Sequence, residues 1–257
     1  MSAGLLVVDR VIKRFGGLKA VGGDAGLSLT VPPGTLLGLI GPNGAGKSTT
    51  FNLISGVLRP DSGAVTLDGR NLAQMSPSQI AAAGVGRTFQ TPRAFASLGI
   101  LDNVMVGADN PGERLGGALG GGWREHERDL RARAEATLAR VGLAHRIHED
   151  VSNLSGGELR MLEVARQLVR DPLVLLLDEP TAGVDPALQS KLSAILVELH
   201  AEGRTLIVVE HNLHFLMKIA DTVAVLQNGE LLAQGTPEEV RADERVIAAY
   251  LGAGHAA

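Results

Sequence analysis

The stretch from Leu36 to Thr50 constrains this chain more than any other. It opens on an apolar run, Leu36-Leu37-Gly38-Leu39-Ile40, that fits a short buried strand. It continues as Gly41-Pro42-Asn43-Gly44-Ala45-Gly46-Lys47-Ser48-Thr49, which is G-x-x-x-x-G-K-[ST] set between a strand and a helix-compatible segment, Thr49 to Ser55. Gly41, Gly44 and Gly46 let the backbone curl and aim its N–H groups at one point. The helix adds its free N–H groups and the positive end of its dipole. Lys47 supplies a mobile charge for β- and γ-phosphates, and the Ser48 hydroxyl suits Mg²⁺.

Composition narrows the classes around this loop. A chain of 257 residues is long enough to bury a substantial core. Aromatic residues are only 3% of it, too few for a stacking platform, and the net charge of −4 opposes binding of nucleic acid by bulk electrostatics. Without cysteine there is no disulfide framework and no thiolate zinc site. No apolar run approaches the ~20 residues that span a bilayer. Leu5–Val8 is too short for a secretory signal. The expectation is a soluble, cytoplasmic chain that relies on another chain to cross any membrane it serves.

Apolar runs alternate with amphipathic segments along the rest of the sequence, which reads as an α/β fold with a parallel sheet. Strands are expected at Leu5–Val8, Leu27–Val31, Leu36–Ile40, Ala64–Leu67, Val85–Phe89, Leu173–Leu177, Thr205–Val209, Thr222–Leu226 and Leu231–Ala233. Arg10–Gly26 carries turn signals, and Phe15 within it fits either a core or hairpin contact or an adenine-stacking ring. Helices are expected from Pro77, over Trp123–Val141, Gly157–Arg170, Ala187–Glu202 and Asn212–Ala220, and from Pro237 through Leu251. Pro111–Gly122 reads as a glycine-rich linker or lid, and Phe89–Val151 as a mainly helical insertion.

A phosphate loop alone does not hydrolyse a nucleotide; metal, water and transition-state charge must also be handled. Asp178 and Glu179 end one buried strand, at the edge where parallel sheets place their ligand crevice. Adjacent residues on an extended chain face opposite ways, so Asp178 is expected on the Mg²⁺ side and Glu179 at the attacking water. His211 ends a second such strand and can reach a γ-phosphate oxygen. Gln90 offers an amide oxygen for a metal shell. Leu154-Ser155-Gly156-Gly157-Glu158 begins a helix and reads as a second anion nest, with Ser155 as its cap. Two distant helix starts do not easily cradle one ATP within a single chain, so a second chain turned head to tail is expected to supply one of them.

Taken in order, these motifs resemble the ATP-binding cassette ATPases over nearly the whole length. Gly41–Ser48 resembles the Walker A loop, Gln90 the Q-loop glutamine, Leu154–Glu158 the LSGGE signature, and Leu173–Asp178 Walker B followed by the base Glu179. Ala182-Gly183-Val184-Asp185 resembles the D-loop and His211 the switch histidine. Phe15 falls where the family places an aromatic, usually Tyr, against adenine. The resemblance implies a P-loop NTPase core of ABC type with an antiparallel β subdomain and an inserted helical subdomain. The core is then 1–88 and 152–257, the insertion 89–151, within one cassette of about 6–251. It implies ATP and Mg²⁺ as cofactors, with Gly41, Pro42, Asn43, Gly44, Ala45, Gly46, Lys47, Ser48 and Thr49 on the phosphates. It implies Ser48, Asp178 and Gln90 on the metal, and Lys47, Glu179 and His211 in catalysis. Ser155, Gly156 and Gly157 then act on the nucleotide of a second cassette, identical or related, in a sandwich dimer. Transmembrane permease subunits, served by a periplasmic or surface binding protein, complete the implied assembly; nucleic acid has no part in it.

A narrower resemblance lies in Arg14–Val21, Gly86–Arg93, Val209-Glu210-His211-Asn212 and Val246–Gly252. These are similar to the ATP-binding subunits of bacterial branched-chain amino acid importers, which implies ATP-driven import of branched-chain amino acids, or of a related amide or urea, and peripheral attachment to the inner face of the cell membrane. Lipopolysaccharide-export ATPases share the Phe-Gly-Gly opening and are the nearest rival. A soluble ATPase of the same family acting on DNA or ribosomes is opposed by the single acidic cassette. A nucleotide sensor without turnover is opposed by intact Glu179 and His211.

Overall fold

Two kinds of sheet follow from two kinds of apolar pattern. The computed structural model describes residues 4–91, 93–108 and 123–253. The glycine-rich stretch read as a linker or lid, 111–122, lies outside the described residues. Contacts divide the chain into two units, the first made of Met1–Arg87, Leu173–Pro180 and Leu196–Ala257, the second of Thr88–Pro172 and Thr181–Ile195.

In the first unit, half-buried alternating strands build an antiparallel sheet. Its centre is β1 (Leu6–Phe15), which pairs with β2 (Leu18–Val21), β3 (Leu27–Val31) and β5 (Ser62–Leu67); β5 also pairs with β6 (Arg70–Asn71). The sequence suggested a strand ending at Val8, because Asp9 and Arg10 interrupt the apolar run. The strand instead continues through a bulge: Arg10 has φ 45°, and the register with β3 slips between Val8 and Val11. The bulge absorbs the charged pair, and the alternation resumes at Val11.

Fully apolar runs build the second sheet of this unit. Its order is β11 (Glu230–Gly235), β10 (Thr222–Gln227), β4 (Leu36–Ile40), β9 (Thr205–Val209), β8 (Val174–Asp178) and β7 (Val85–Arg87). Every pairing is parallel except the β10–β11 hairpin, which turns at Asn228-Gly229. Every residue of β4, β8 and β9 is buried, as expected of strands covered on both faces. Because β4, β8 and β9 are parallel neighbours, Gly41, Glu179 and Glu210 leave the sheet at one edge. Helix α1 (Lys47–Ile54) follows β4, and α2 (Pro77–Ala82) is started by a capping box of Ser76 and Gln79. Later helices of the unit are α7 (Leu213–Ile219), α8 (Pro237–Ala242) and α9 (Glu244–Ala253).

The second unit is helical. It holds α3 (Ile100–Met105), α4 (Trp123–Arg140) and α5 (Gly156–Leu168), which pack on one another through Val104, Ala134, Leu138 and Met161 among other buried residues. The start of α6 (Pro186–Ala201) belongs to it as well.

Candidate active site

Gly41 has φ 149°, and a Cβ there would sit 2.2 Å from the Leu226 carbonyl oxygen of β10, so no side chain fits. Gly46 is the residue before α1, with φ 96°. No side chain caps α1 and no acid stands in its first turn, so its leading N–H groups keep their affinity for an anion. Lys47 is 7% exposed, and its ammonium donates to the carbonyl oxygens of Gly41 (2.7 Å) and Pro42 (3.0 Å). Burial pushes the Lys47 pKa down, while the carboxylates of Glu179 and Asp178 push it up. Asn43, Gly44 and Ser48 are exposed around this loop.

Asp178 closes β8 and is 5% exposed. Glu179 does not continue the strand, contrary to the opposite-facing pair expected of an extended chain. It turns into the left-handed region at φ 48°, with its N–H on the Val209 carbonyl (2.9 Å). That conformation costs about 1 kcal/mol in a residue with a Cβ. It carries the Glu179 carboxylate to His211, whose Nε2 lies 2.9 Å from Oε1. His211 is held in turn from behind: Glu210, 3% exposed, accepts the N–H of His211 (3.1 Å) and of Asn212 (3.3 Å) on one oxygen. Gly41–Thr49, Asp178, Glu179 and His211 thus share one unit and one sheet edge.

Two residues of this edge escaped the sequence reading. One is Glu210, adjacent to His211 and visible only as a charge after a buried strand. The other is Arg87, the last residue of β7. Its guanidinium donates to Asn52 Oδ1 (2.7 Å), Ser55 Oγ (2.7 Å) and Asp178 Oδ2 (3.4 Å). Burial pushes the Arg87 pKa down, and Asp178 opposes it. The signal available was a lone cation ending an apolar strand three residues before Gln90.

Phe15 ends β1 opposite Leu18 in the β1–β2 hairpin. The residue is 48% exposed, with the Lys13 ammonium 5.8 Å from the ring centroid. It is therefore a surface aromatic on a hairpin and no part of the core, a placement open to stacking.

Gln90 and the Ser155 segment lie in the second unit. Gln90 is exposed; its backbone carbonyl accepts from Arg160 Nη2 (2.6 Å), and Phe89 donates its N–H to Glu163 (2.7 Å). Arg160 and Glu163, both nearly fully buried on α5, pair at 3.2 Å. Burial raises the Glu163 pKa, opposed by the Phe89 N–H and by Arg160. Ser155 caps α5 in a reciprocal box with Glu158: Ser155 Oγ accepts the Glu158 N–H (3.3 Å), and Glu158 accepts from the Ser155 N–H (2.9 Å) and hydroxyl (2.8 Å). Arg146 donates to both Glu158 oxygens at 2.8 and 3.0 Å. Partial burial pushes Glu158 up, but the Ser155 N–H, the Arg146 guanidinium and the Ser155 hydroxyl outweigh it and bring the pKa to about 2. The two glycines differ. A Cβ on Gly156 would meet nothing within 4 Å, whereas one on Gly157 would meet Leu188 Cδ1 of α6 at 2.6 Å.

The loop and its donors fit a nucleotide triphosphate with magnesium. Gly41 and Gly46 leave a cradle that a Cβ would spoil, α1 opens uncapped, and Ser48 and Asp178 present hard oxygen ligands. Among the described residues no group of three or more His, Cys, Asp or Glu could hold a metal by itself.

A glycine cradle before an uncapped helix, with a carboxylate pair one strand removed across the sheet edge, defines the class of P-loop ATPases. A family model described as "ABC transporter" matches residues 25–182, and one described as "Branched-chain amino acid ATP-binding cassette transporter" matches 230–256. The chain belongs to the ABC transporter family, as one of its ATP-binding, ATP-hydrolysing cassettes. It is 38% identical over 259 residues to the high-affinity branched-chain amino acid transport ATP-binding protein LivG of Escherichia coli K12, covering 98% of this chain and 99% of that one. It is 35% identical over 249 residues to the probable LivG of Archaeoglobus fulgidus, covering 97% and 96%. A solved nucleotide-free ATP-binding cassette from an ABC transporter superposes with TM-score 0.83 at 32% identity, covering 96% of this chain and 98% of that one. A dimeric bacterial ABC transporter cassette does so with TM-score 0.75 at 26% identity, covering 90% and 98%.

Proposed function

We propose that this chain is the subunit that binds and hydrolyses ATP to drive a bacterial importer of branched-chain amino acids. The carrying observation is similarity at both scales. Relatives named for that transport align end to end, and the C-terminal segment 230–256 matches a model described by the same transport. That segment also reaches the site. Tyr250 of α9 is shifted up by burial, and the Gly41 backbone beside its hydroxyl opposes the shift.

In this reading Gly41–Thr49 hold the phosphates through backbone N–H groups, Lys47 and the start of α1, and Phe15 stacks on adenine. Ser48, Asp178 and Gln90 hold Mg²⁺, which when bound neutralises phosphate charge. Glu179 orients a water and accepts its proton as the water oxygen bonds to the γ-phosphorus; the bond from that phosphorus to the β–γ bridging oxygen breaks, ADP leaves with the bridging oxygen, and the released phosphate carries the water oxygen. His211, fixed by Glu210 and paired with Glu179, holds a γ-phosphate oxygen. Ser155, Gly156 and Gly157 act on the nucleotide of a second cassette, identical or related. The core of 1–88 and 152–257 and the helical insertion 89–151 divide this work between them. The insertion and the Gln90 loop face a transmembrane permease at the cytoplasmic side of the cell membrane, fed by a substrate-binding protein outside. Among the described residues no helix is long and apolar enough to cross a membrane.

The test is reconstitution in proteoliposomes with the co-purifying permease and its binding protein, ATP supplied on the cassette side. Labelled leucine, isoleucine or valine accumulates with this chain, and not with Glu179→Gln. Hydrolysis that continues without uptake of any of the three would remove the substrate assignment.

A further inference from the structure

Arg87 joins two elements of the site, the end of α1 and the end of β8. One guanidinium nitrogen serves Asn52 and Ser55 at the far end of α1, each at 2.7 Å. The other reaches Asp178 Oδ2 at 3.4 Å. Both partners of the ion pair are nearly dry, with side chains 11% and 6% exposed. The guanidinium carbon Cζ lies 5.9 Å from the Phe51 ring centroid. The Ser55 hydroxyl donates to the Phe51 carbonyl (2.7 Å), so the bond from Arg87 falls on one of its lone pairs. A cation this desolvated interacts with a neighbouring charge far more strongly than one in water.

We infer that Arg87 is a positioning residue that acts as counter-ion to Asp178 and competes with the divalent cation for it. The inference rests on the reading of Asp178 as a metal ligand. The backbone of Asp178 is fixed independently by β8, where it registers with Val209 of β9. Removing the guanidinium therefore leaves the carboxylate in place and changes chiefly the charge it meets. A metal ion that reaches Asp178 must weaken the Arg87 pair.

The test uses the full chain and a fluorescent ADP analogue, so that no turnover intervenes. The measured quantity is the ratio of nucleotide affinity in Mg²⁺ to that in EDTA. Arg87→Gln, uncharged but still able to hydrogen-bond, raises this ratio about tenfold. Arg87→Lys, which keeps the charge, stays near wild type. A purely structural role lowers the melting temperature and weakens both affinities alike; an unchanged or smaller ratio in Arg87→Gln overturns the inference. Should that variant not fold, Arg87→Met, whose unbranched stem covers Phe51, carries the same expectation. Asp178→Asn separates the two levels. If it leaves the ratio intact, the metal reading fails. If it collapses the ratio while Arg87→Gln leaves it unmoved, only the role of Arg87 fails.

Discussion

Two helix starts in this protein carry glycines and a hydroxyl residue, yet they are built for opposite conditions. Helix α1 begins uncapped, without an acid in its first turn, and with Lys47 turned onto the loop carbonyls. Helix α5 begins fully satisfied: Ser155 and Glu158 cap one another, and Arg146 neutralises Glu158. The first is a finished anion site needing only its ligand. The second has its hydroxyl committed to a carboxylate, and Ser155 must exchange that partner to touch a phosphate. The difference accords with one site that binds in the isolated chain and another that works only when a second cassette is apposed.

The sharpest way to break this comparison is to disable each start separately. Lys47→Ala removes a cation whose bonds to phosphate are charge-assisted, and ATP affinity of the isolated chain falls about 100-fold. Ser155→Arg leaves that affinity unchanged but abolishes turnover in the assembled transporter. Equilibrium binding of a fluorescent ATP analogue, read beside phosphate release, distinguishes them. A loss of binding in Ser155→Arg would make the two starts one site.

The sequence made one of these starts much easier to read than the other. The phosphate loop is legible because its chemistry is backbone chemistry: glycine positions, one Lys and one hydroxyl residue specify it without tertiary help. The buried strands β4, β8 and β9 are legible for a similar reason, since a strand covered on both faces leaves an unbroken apolar run. Glu179 was located but its conformation was not, because φ 48° arises from the turn out of β8 and no local pattern announces it in a glutamate. The β1 bulge was missed since Asp9 and Arg10 look like a strand end. The partners of α5 were equally hidden: its stripe shows that Leu162 and Ala165 are buried but not that α3 and α4 cover the helix. Arg87, Arg146 and Glu210 act through residues distant in the chain or through backbone groups, which residue type alone does not reveal.

The paired glycines sharpen the comparison on a smaller scale. Gly156 has open space where a methyl would go, and Gly157 has Leu188 at 2.6 Å. Gly157→Ala must push the end of the half-buried Leu188 side chain aside, which offsets the gain in helix propensity of about 1 kcal/mol and leaves the variant less stable than Gly156→Ala. Gly156→Ala leaves stability unchanged or slightly raised, as alanine favours a helix. On the proposed reading of Gly156, its effect falls on turnover in the assembly, where a second nucleotide would need that space. Urea unfolding of the two variants checks the contrast; equal losses would mean that neither glycine is kept open for a ligand.

The smallest expected effect is the pH dependence of the α5 start. Glu158 titrates at about 2 in the folded chain, against an ordinary 4.5. Between those values the unfolded chain binds more protons than the native one, so the stabilisation is complete above pH 4.5 and is lost as the pH falls toward 2. Partial exposure screens the contribution to about 1 kcal/mol. Glu158→Gln removes the titration while keeping an oxygen for the cap, so the stability gap between wild type and variant is widest near neutral pH and closes in acid. Unfolding curves at several pH values report the gap directly. Helix α1 has no carboxylate at its start, and substitutions there that leave the fold intact produce no such acid-dependent gap; a gap constant with pH for Glu158→Gln would show that the carboxylate charge does not stabilise the cap.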